Sequence, residues 1–417
     1  METLYRLAFA YKKTKLWKKL SDGQLFAVAL SDGETGYCSV MGALGEHIAL
    51  ALYPGASGLR SYSMLASGLS PAGGVHAVEF ALAQDCLMCS FENKDMLRAC
   101  EAAAVRDYCT ANGVTLRGAH AWPRLLRCRP FYLPWTLDEE KDRLAEGLEA
   151  ALEVARRLET ASADSLGLTE GPPYNREIPL LVKTETGYDW QTVALPPRLE
   201  LDYPTGGPLY DLLLKRASMK RERAGVWACD VFLLPEPVGG GEDELEDEPV
   251  GRAPFFPWVQ LVLDVDSGMI LDTTLCEEGE DYAEQFPNKL LELMGNHGRP
   301  RRMLVENERT AALYRNLAKR VGFPLEFVDR CADLDDALDD FFDHFSPEDG
   351  DEADDDSLAL PAGAAGLLAD LFRSAGDFSG LPHEMLLVMN SLAEVMGPAL
   401  PEACRELLEQ ELRERFS

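Results

Sequence analysis

Cys86-Leu-Met-Cys89 is the one CxxC in the sequence, and thiols at that spacing can close a disulfide or supply half of a zinc site. A structural zinc needs a second pair at a matching distance. The remaining cysteines, scattered from Cys38 to Cys404, provide none. The stretch Cys86 to Phe91 reads as a buried strand, where cysteine serves as an ordinary small hydrophobe. Core packing is therefore expected of this pair. The six histidines, at 47, 76, 120, 297, 344 and 383, show no HxH, HxxxH or HExxH spacing. Gly239-Gly-Gly241 runs straight into acids that would repel a phosphate, and neither a P-loop nor a Gly-x-Ser-x-Gly elbow is present. Lys12, Lys13, Lys15, Lys18 and Lys19 surround Trp17, and Lys215 to Arg223 repeats the basic theme. Such helices can touch nucleic acid, but a solvated face or an intramolecular contact with the acidic segments is the expectation.

The elements that position these residues follow from hydrophobic periodicity. The first unit starts at Leu4-Tyr5 and runs through a basic helix, Lys12 to Lys19, into strands over 24–30, 36–41 and 47–53. A short helix near Leu59, a strand over 86–91 ending in Glu92-Asn93, and a helix over 96–110 stopping at Asn112-Gly113 follow. A strand at 131–133 then precedes a long helix over 138–158. The second half begins at Leu209-Tyr210 and gives strands over 226–234, 258–265 and 269–275, with Asp266-Ser-Gly268 as a hairpin turn. A helix over 281–294 precedes a strand over 302–305 that ends in Glu306-Asn307. A helix over 310–321 stops at Gly322, a strand covers 325–328, and a helix covers 334–342. Both halves read β-β-β-α-β-α-β-α after an initial helix, which suggests an internal duplication.

The fold class expected is thus α/β: two related mixed-sheet domains plus a helical C-terminal segment. The first domain covers 1–160, and 161–204 forms a linker with a hairpin over 178–197. The second domain covers 205–345, 346–357 forms an acidic linker, and 358–417 is helical. Pro235 to Arg252 and Ser346 to Ser357 read as solvated acidic loops.

This element order resembles the ribonuclease-H-like fold of nucleases and integrases. The chain is also similar to uncharacterised bacterial proteins that carry domains of unknown function. That likeness rests on Gly36-Tyr-Cys-Ser-Val-Met-Gly42 with His47-Ile-Ala-Leu-Ala-Leu-Tyr53, on Trp227-Ala-Cys-Asp230, and on Gly298-Arg-Pro-Arg-Arg-Met-Leu-Val305. The first resemblance implies carboxylates on the first strand, at the end of the fourth strand and on the last helix. These would hold two Mg²⁺ or Mn²⁺ ions that clamp the oxygens of a phosphodiester. In the second unit Asp230, Glu306 and the acids Asp335, Asp336, Asp339 and Asp340 fill those stations. The first unit has Glu92 but only Val28 or a neighbour on its first strand, and the acidic helix lies where nearly every polar position is Asp. Outside that reading no cofactor is expected.

Composition bounds the rest. Hydrophobic residues make up 46% of 417 residues, enough for sizeable cores. The net charge is −31, of which Glu242 to Glu248 and Asp333 to Asp356 together supply 19 negative charges. Such a chain is repelled by a phosphate backbone, so nucleic acid is not the expected partner. No apolar run approaches the roughly 18–20 residues that span a bilayer, and the charged first twenty residues do not read as a signal peptide. The cytoplasm is the expected location. The leading functional expectation is a non-enzymatic interaction or regulatory protein with a protein partner. A metal-dependent nuclease or related phosphoryl-transfer enzyme using Asp230 and Glu306 is the alternative.

Overall fold

The computed structural model describes residues 1–43, 47–66, 82–137, 139–197, 203, 206–220, 223–234, 237–238 and 253–345, with 405, 406, 408, 410 and 413. The acidic loops expected over 235–252 (apart from 237 and 238) and 346–357, and most of the helical segment expected over 358–417, lie outside these residues. At 405, 406, 408, 410 and 413 the chain is helical.

The first unit opens with α1 (Glu2–Thr14), whose Leu4, Leu7, Ala8 and Tyr11 fall on one face at helical spacing and are all buried. Strands β1 (Phe26–Ala29), β2 (Thr35–Met41) and β3 (Ile48–Pro54) follow, then α2 (Gly55–Ala66) and β4 (Cys86–Glu92). Next come α3 (Ala99–Asn112), β5 (Trp122–Cys128), β6 (Trp135–Thr136) and α4 (Lys141–Arg157). Gly113, at φ +64°, closes α3 in the left-handed conformation that glycine adopts without cost. A hairpin, β7 (Glu177–Thr184) and β8 (Gly187–Ala194), completes the unit.

The eight strands form one sheet in the order β6-β5-β4-β3-β2-β1-β7-β8. Leu87, Cys89 and Phe91 of β4 pack on the face covered by α1, α3 and α4, while Cys86 and Met88 pack on the face of Leu59 and Tyr62 of α2. Burial on both faces explains why β3 and β4 read as continuous apolar runs. It also places Cys86 and Cys89 on opposite faces of the sheet, so the CxxC spacing brings no thiol pair together. Both are core cysteines, as expected.

The second unit begins with α5 (Pro208–Met219), then β9 (Val226–Leu233), β10 (Trp258–Asp264), β11 (Met269–Leu275) and α6 (Tyr282–His297). It continues with β12 (Arg302–Val305), α7 (Glu308–Val321), β13 (Leu325–Phe327) and α8 (Ala332–Phe345). The sheet order is β11-β10-β9-β12-β13. The first three strands are antiparallel, and β12 then lies parallel to β9 and β13 parallel to β12. Trp227, Cys229 and Val231 of β9 face α5, α6 and α7, and Ala228 and Phe232 face α8.

Most of the expected elements form in both halves, but two readings are corrected, and β5 (Trp122–Cys128) is a strand the periodicity did not announce. The strand expected at 131–133 is a turn between β5 and β6. Pro130 and Pro134 flank it, and proline cannot donate to a ladder. The two units are also not copies of one sheet. In the first, β4 returns antiparallel beside β3. In the second, α6 carries the chain across the sheet so that β12 lands parallel beside β9. The edge of β1 equivalent to that position is taken by β7, which pairs parallel to it through Ala27↔Leu180 and Val28↔Leu181. The hairpin expected over 178–197 thus forms, with its turn at Glu185-Thr186, and it belongs to the first sheet.

The turn at 129–133 joins the two units. Leu133 N–H donates to the Pro254 carbonyl at 2.9 Å and Phe256 N–H to the Phe131 carbonyl at 2.7 Å. Phe131, at φ +68°, sets its ring edge-on to Trp258 with centroids 5.0 Å apart. Leu82, Leu133 and Phe256 form a small apolar cluster beside it.

Removal of β7 and β8 exposes the β1 edge and discards the buried Ile178 and Leu181, each worth about 1.5–3 kcal/mol. A fragment spanning 1–197 is expected to elute as a discrete species and melt cooperatively. One ending at residue 170 is expected to aggregate or melt without a cooperative transition, as size-exclusion chromatography and thermal denaturation will show.

Candidate functional site

Asp230 lies in the second half of β9, and Glu306 is the residue that follows β12. The parallel ladder pairs Leu304 with Ala228, so two residues further along Glu306 and Asp230 come abreast. Glu306 stands where β12 hands over to α7, and Asp230 lies beside it within the neighbouring strand β9.

Asp230 Oδ1 accepts the Val231 N–H at 2.7 Å and the Thr310 hydroxyl at 3.2 Å, together with the side-chain amide of Asn307. Asn307 is the N-cap of α7, and its own oxygen accepts the Thr310 N–H at 2.7 Å. Asp230 therefore binds the capping residue and places its negative charge at the positive end of the helix. Arg309 stands in the same turn. It donates to the Val231 carbonyl at 3.2 Å and lies over the Trp258 ring, 4.5 Å from its centroid. Trp258 stacks on Tyr282 with centroids 4.5 Å apart.

Glu306 repeats the arrangement one helix later. Its Oε1 accepts the N–H of Cys331, the residue before α8. Asp335, in the first turn of α8, is held by Arg330 at 2.7 Å. Asp336 and Asp340 are exposed, and the side chain of Asp339 lies outside the described residues.

Burial raises the Asp230 carboxyl above its ordinary range, against the lowering effect of the Val231 N–H, the Thr310 hydroxyl, Arg309 and Asn307. Burial likewise raises Glu306. The Cys331 N–H opposes the shift, while the charges of Asp335 and Asp230 add to it. Glu306 thus feels the charge of both other acids. The bonds named here belong to the protein's own donors, and a divalent ion would compete with Asn307, Thr310 and the Cys331 N–H for the same oxygens. Among the described residues no group of three His, Cys, Asp or Glu side chains is arranged to hold a metal ion.

The first unit differs. Val28 is buried under the helices, and Glu92 faces His47, whose Nδ1 is 3.7 Å from its Oε1. Lys12 and Trp17 of the basic N-terminal segment are turned inward. Lys12 donates to the His120 carbonyl and lies over the Phe91 ring, and Trp17 is buried. Sequence reasoning did not find Arg309, Thr310 and Trp258. The signal available was Asn307 with Thr310 three residues on, which reads as a helix start and not as a site.

A mixed α/β protein with two differently wired sheets is the class these features define. Residues 2–170 match the model of a domain of unknown function, DUF7309, and residues 213–342 match that of a second, DUF6930. The expected likeness to proteins built from domains of unknown function is met. No curated protein matches the chain. Among the described residues no helix is long and apolar enough to cross a membrane.

An acid raised above its unfolded value stabilises the fold fully below that value, about pH 3.9 for Asp, and the contribution is lost as pH rises through the folded value. Asp230→Asn keeps an acceptor oxygen for Asn307 and Thr310 but cannot ionise. Its melting temperature is expected to gain on the wild type as pH rises from about 4 to 7. Asp230→Ala strands those donors and should cost about 1–3 kcal/mol. Thermal denaturation across this pH range checks both.

Proposed function

We propose that the protein is a non-enzymatic interaction or regulatory protein in which Asp230 and Glu306 serve the architecture of the second unit. The observation that carries this reading is that each carboxylate binds the N-terminal end of a helix, Asp230 through Asn307 and Glu306 through the Cys331 N–H. A carboxylate used in this way orders the helix that follows it and has fewer lone pairs left for a metal. Exposed Leu209, Leu212 and Met219 on α5 supply apolar surface of the kind that protein partners cover. The charge of −31 disfavours nucleic acid.

The second reading is a metal-dependent nuclease or related phosphoryl-transfer enzyme with Mg²⁺ or Mn²⁺ at Asp230 and Glu306. Two observations favour it. Three antiparallel strands are followed by two parallel ones, the kind of mixed sheet that the ribonuclease-H-like resemblance implies, and the charges of Asp230 and Asp335 both act on Glu306.

Incubation with single- and double-stranded DNA and RNA in Mg²⁺ or Mn²⁺ separates the two. No cleavage above a metal-free control, and no Mn²⁺ binding lost in Asp230→Asn, are expected. Metal-dependent cleavage that Asp230→Asn abolishes would overturn the proposal.

A further inference from the structure

We infer that an open cavity of the first unit, between α1, α3 and the β5–β6 edge, binds a small carboxylic acid with an apolar body. The cavity holds about 220 Å³ and is lined by Tyr5, Glu101, Ala104, Arg124, Leu125 and Leu137, among others. Its polar wall is built from a buried pair. Glu101 and Arg124 are each only 8% exposed, and Arg124 Nε donates to Glu101 Oε2 at 3.0 Å.

The two partners are unequally used. Glu101 also accepts the Arg98 N–H at 3.0 Å and the Thr136 hydroxyl at 3.1 Å, so its carboxylate is well satisfied. Arg124 spends only Nε. Among the described residues its two Nη groups meet no acceptor, and neither does the Tyr5 hydroxyl on the same cavity. A buried guanidinium with its fork unspent is matched in geometry and charge by one carboxylate. Tyr5 adds a third donor. Burial, then the charge of Glu101, pushes its hydroxyl up to about 12, so it keeps its proton at neutral pH. Glu101 stands in the first turn of α3, so the helix end also favours an anion here.

The same features limit the ligand. Glu101 lies 3.0 Å from the guanidinium the ligand must share, which penalises a dianion such as phosphate. Ala104, Leu125 and Leu137 give the rest of the molecule apolar contacts. The volume is below the roughly 300–1,000 Å³ of sites for drug-sized ligands, so the occupant is small.

Calorimetry on the full chain with hexanoate, benzoate, hexan-1-ol, hexylamine and inorganic phosphate tests this. Hexanoate or benzoate is expected to bind about tenfold or more tightly than the alcohol, the amine and phosphate. Ala104→Phe fills the mouth without touching a charge, and should weaken the carboxylate by a similar factor at an unchanged melting temperature. Arg124→Lys keeps the charge beside Glu101 but loses the fork, and should weaken the carboxylate and not the alcohol. Equal binding of hexanol and hexanoate would overturn the inference. So would tighter binding of phosphate, undiminished binding to Ala104→Phe, or no binding of either carboxylate.

Discussion

A carboxylate set against the start of a helix is the contact on which the second unit depends. β9 is the middle strand of its sheet, covered by α5, α6 and α7 on one face and by α8 on the other. An acid in such a strand must find partners or lose its charge. Asp230 finds them in Asn307, Thr310 and the Val231 N–H. Those bonds fix where α7 begins, and hence where its buried Leu313, Tyr314 and Leu317 meet the sheet. Glu306 does the same at the start of α8. The residues best placed for metal chemistry by type and position are also the ones that hold the helices down.

The two sheets show how one list of elements admits two wirings. The difference lies in which edge of the first strand is filled, and by what. In the second unit α6 packs Phe286, Leu290 and Met294 onto the sheet, and the crossover delivers β12 to the free edge of β9. In the first unit β4 stays beside β3, and the edge of β1 is left to β7 from beyond α4. A segment that reads as a linker is recruited because an unpaired strand edge beside a buried face is costly. The first sheet reaches eight strands as a result.

The units meet through main chain as well as side chains. Phe131 holds a left-handed backbone that costs a bulky residue energy. The return is an edge-on contact with Trp258, which also stacks on Tyr282 and meets the Arg309 guanidinium. The seam therefore touches the same aromatic group that supports the turn holding Asp230.

Much of this was legible in the sequence. The periodicity of β9 to β13 and α5 to α8 located each element to within a few residues, and Gly113 and Gly322 marked helix ends because both need positive φ. Asp230 was recognisable as an acid within a strand and Glu306 as an acid at a strand end. What periodicity carries is local: it says which face of an element is apolar, and nothing of which neighbour covers it. Only the tertiary structure decided that β4 lies against β3 while β12 lies against β9. Only it decided that the proline-flanked Phe131 leaves its sheet for the other unit, and that Arg124 ends in a cavity with its fork unspent. Pairing of strand edges and satisfaction of buried charge are settled between residues distant in the chain, as Asp230 and Thr310 are, and depend on where the whole core places them.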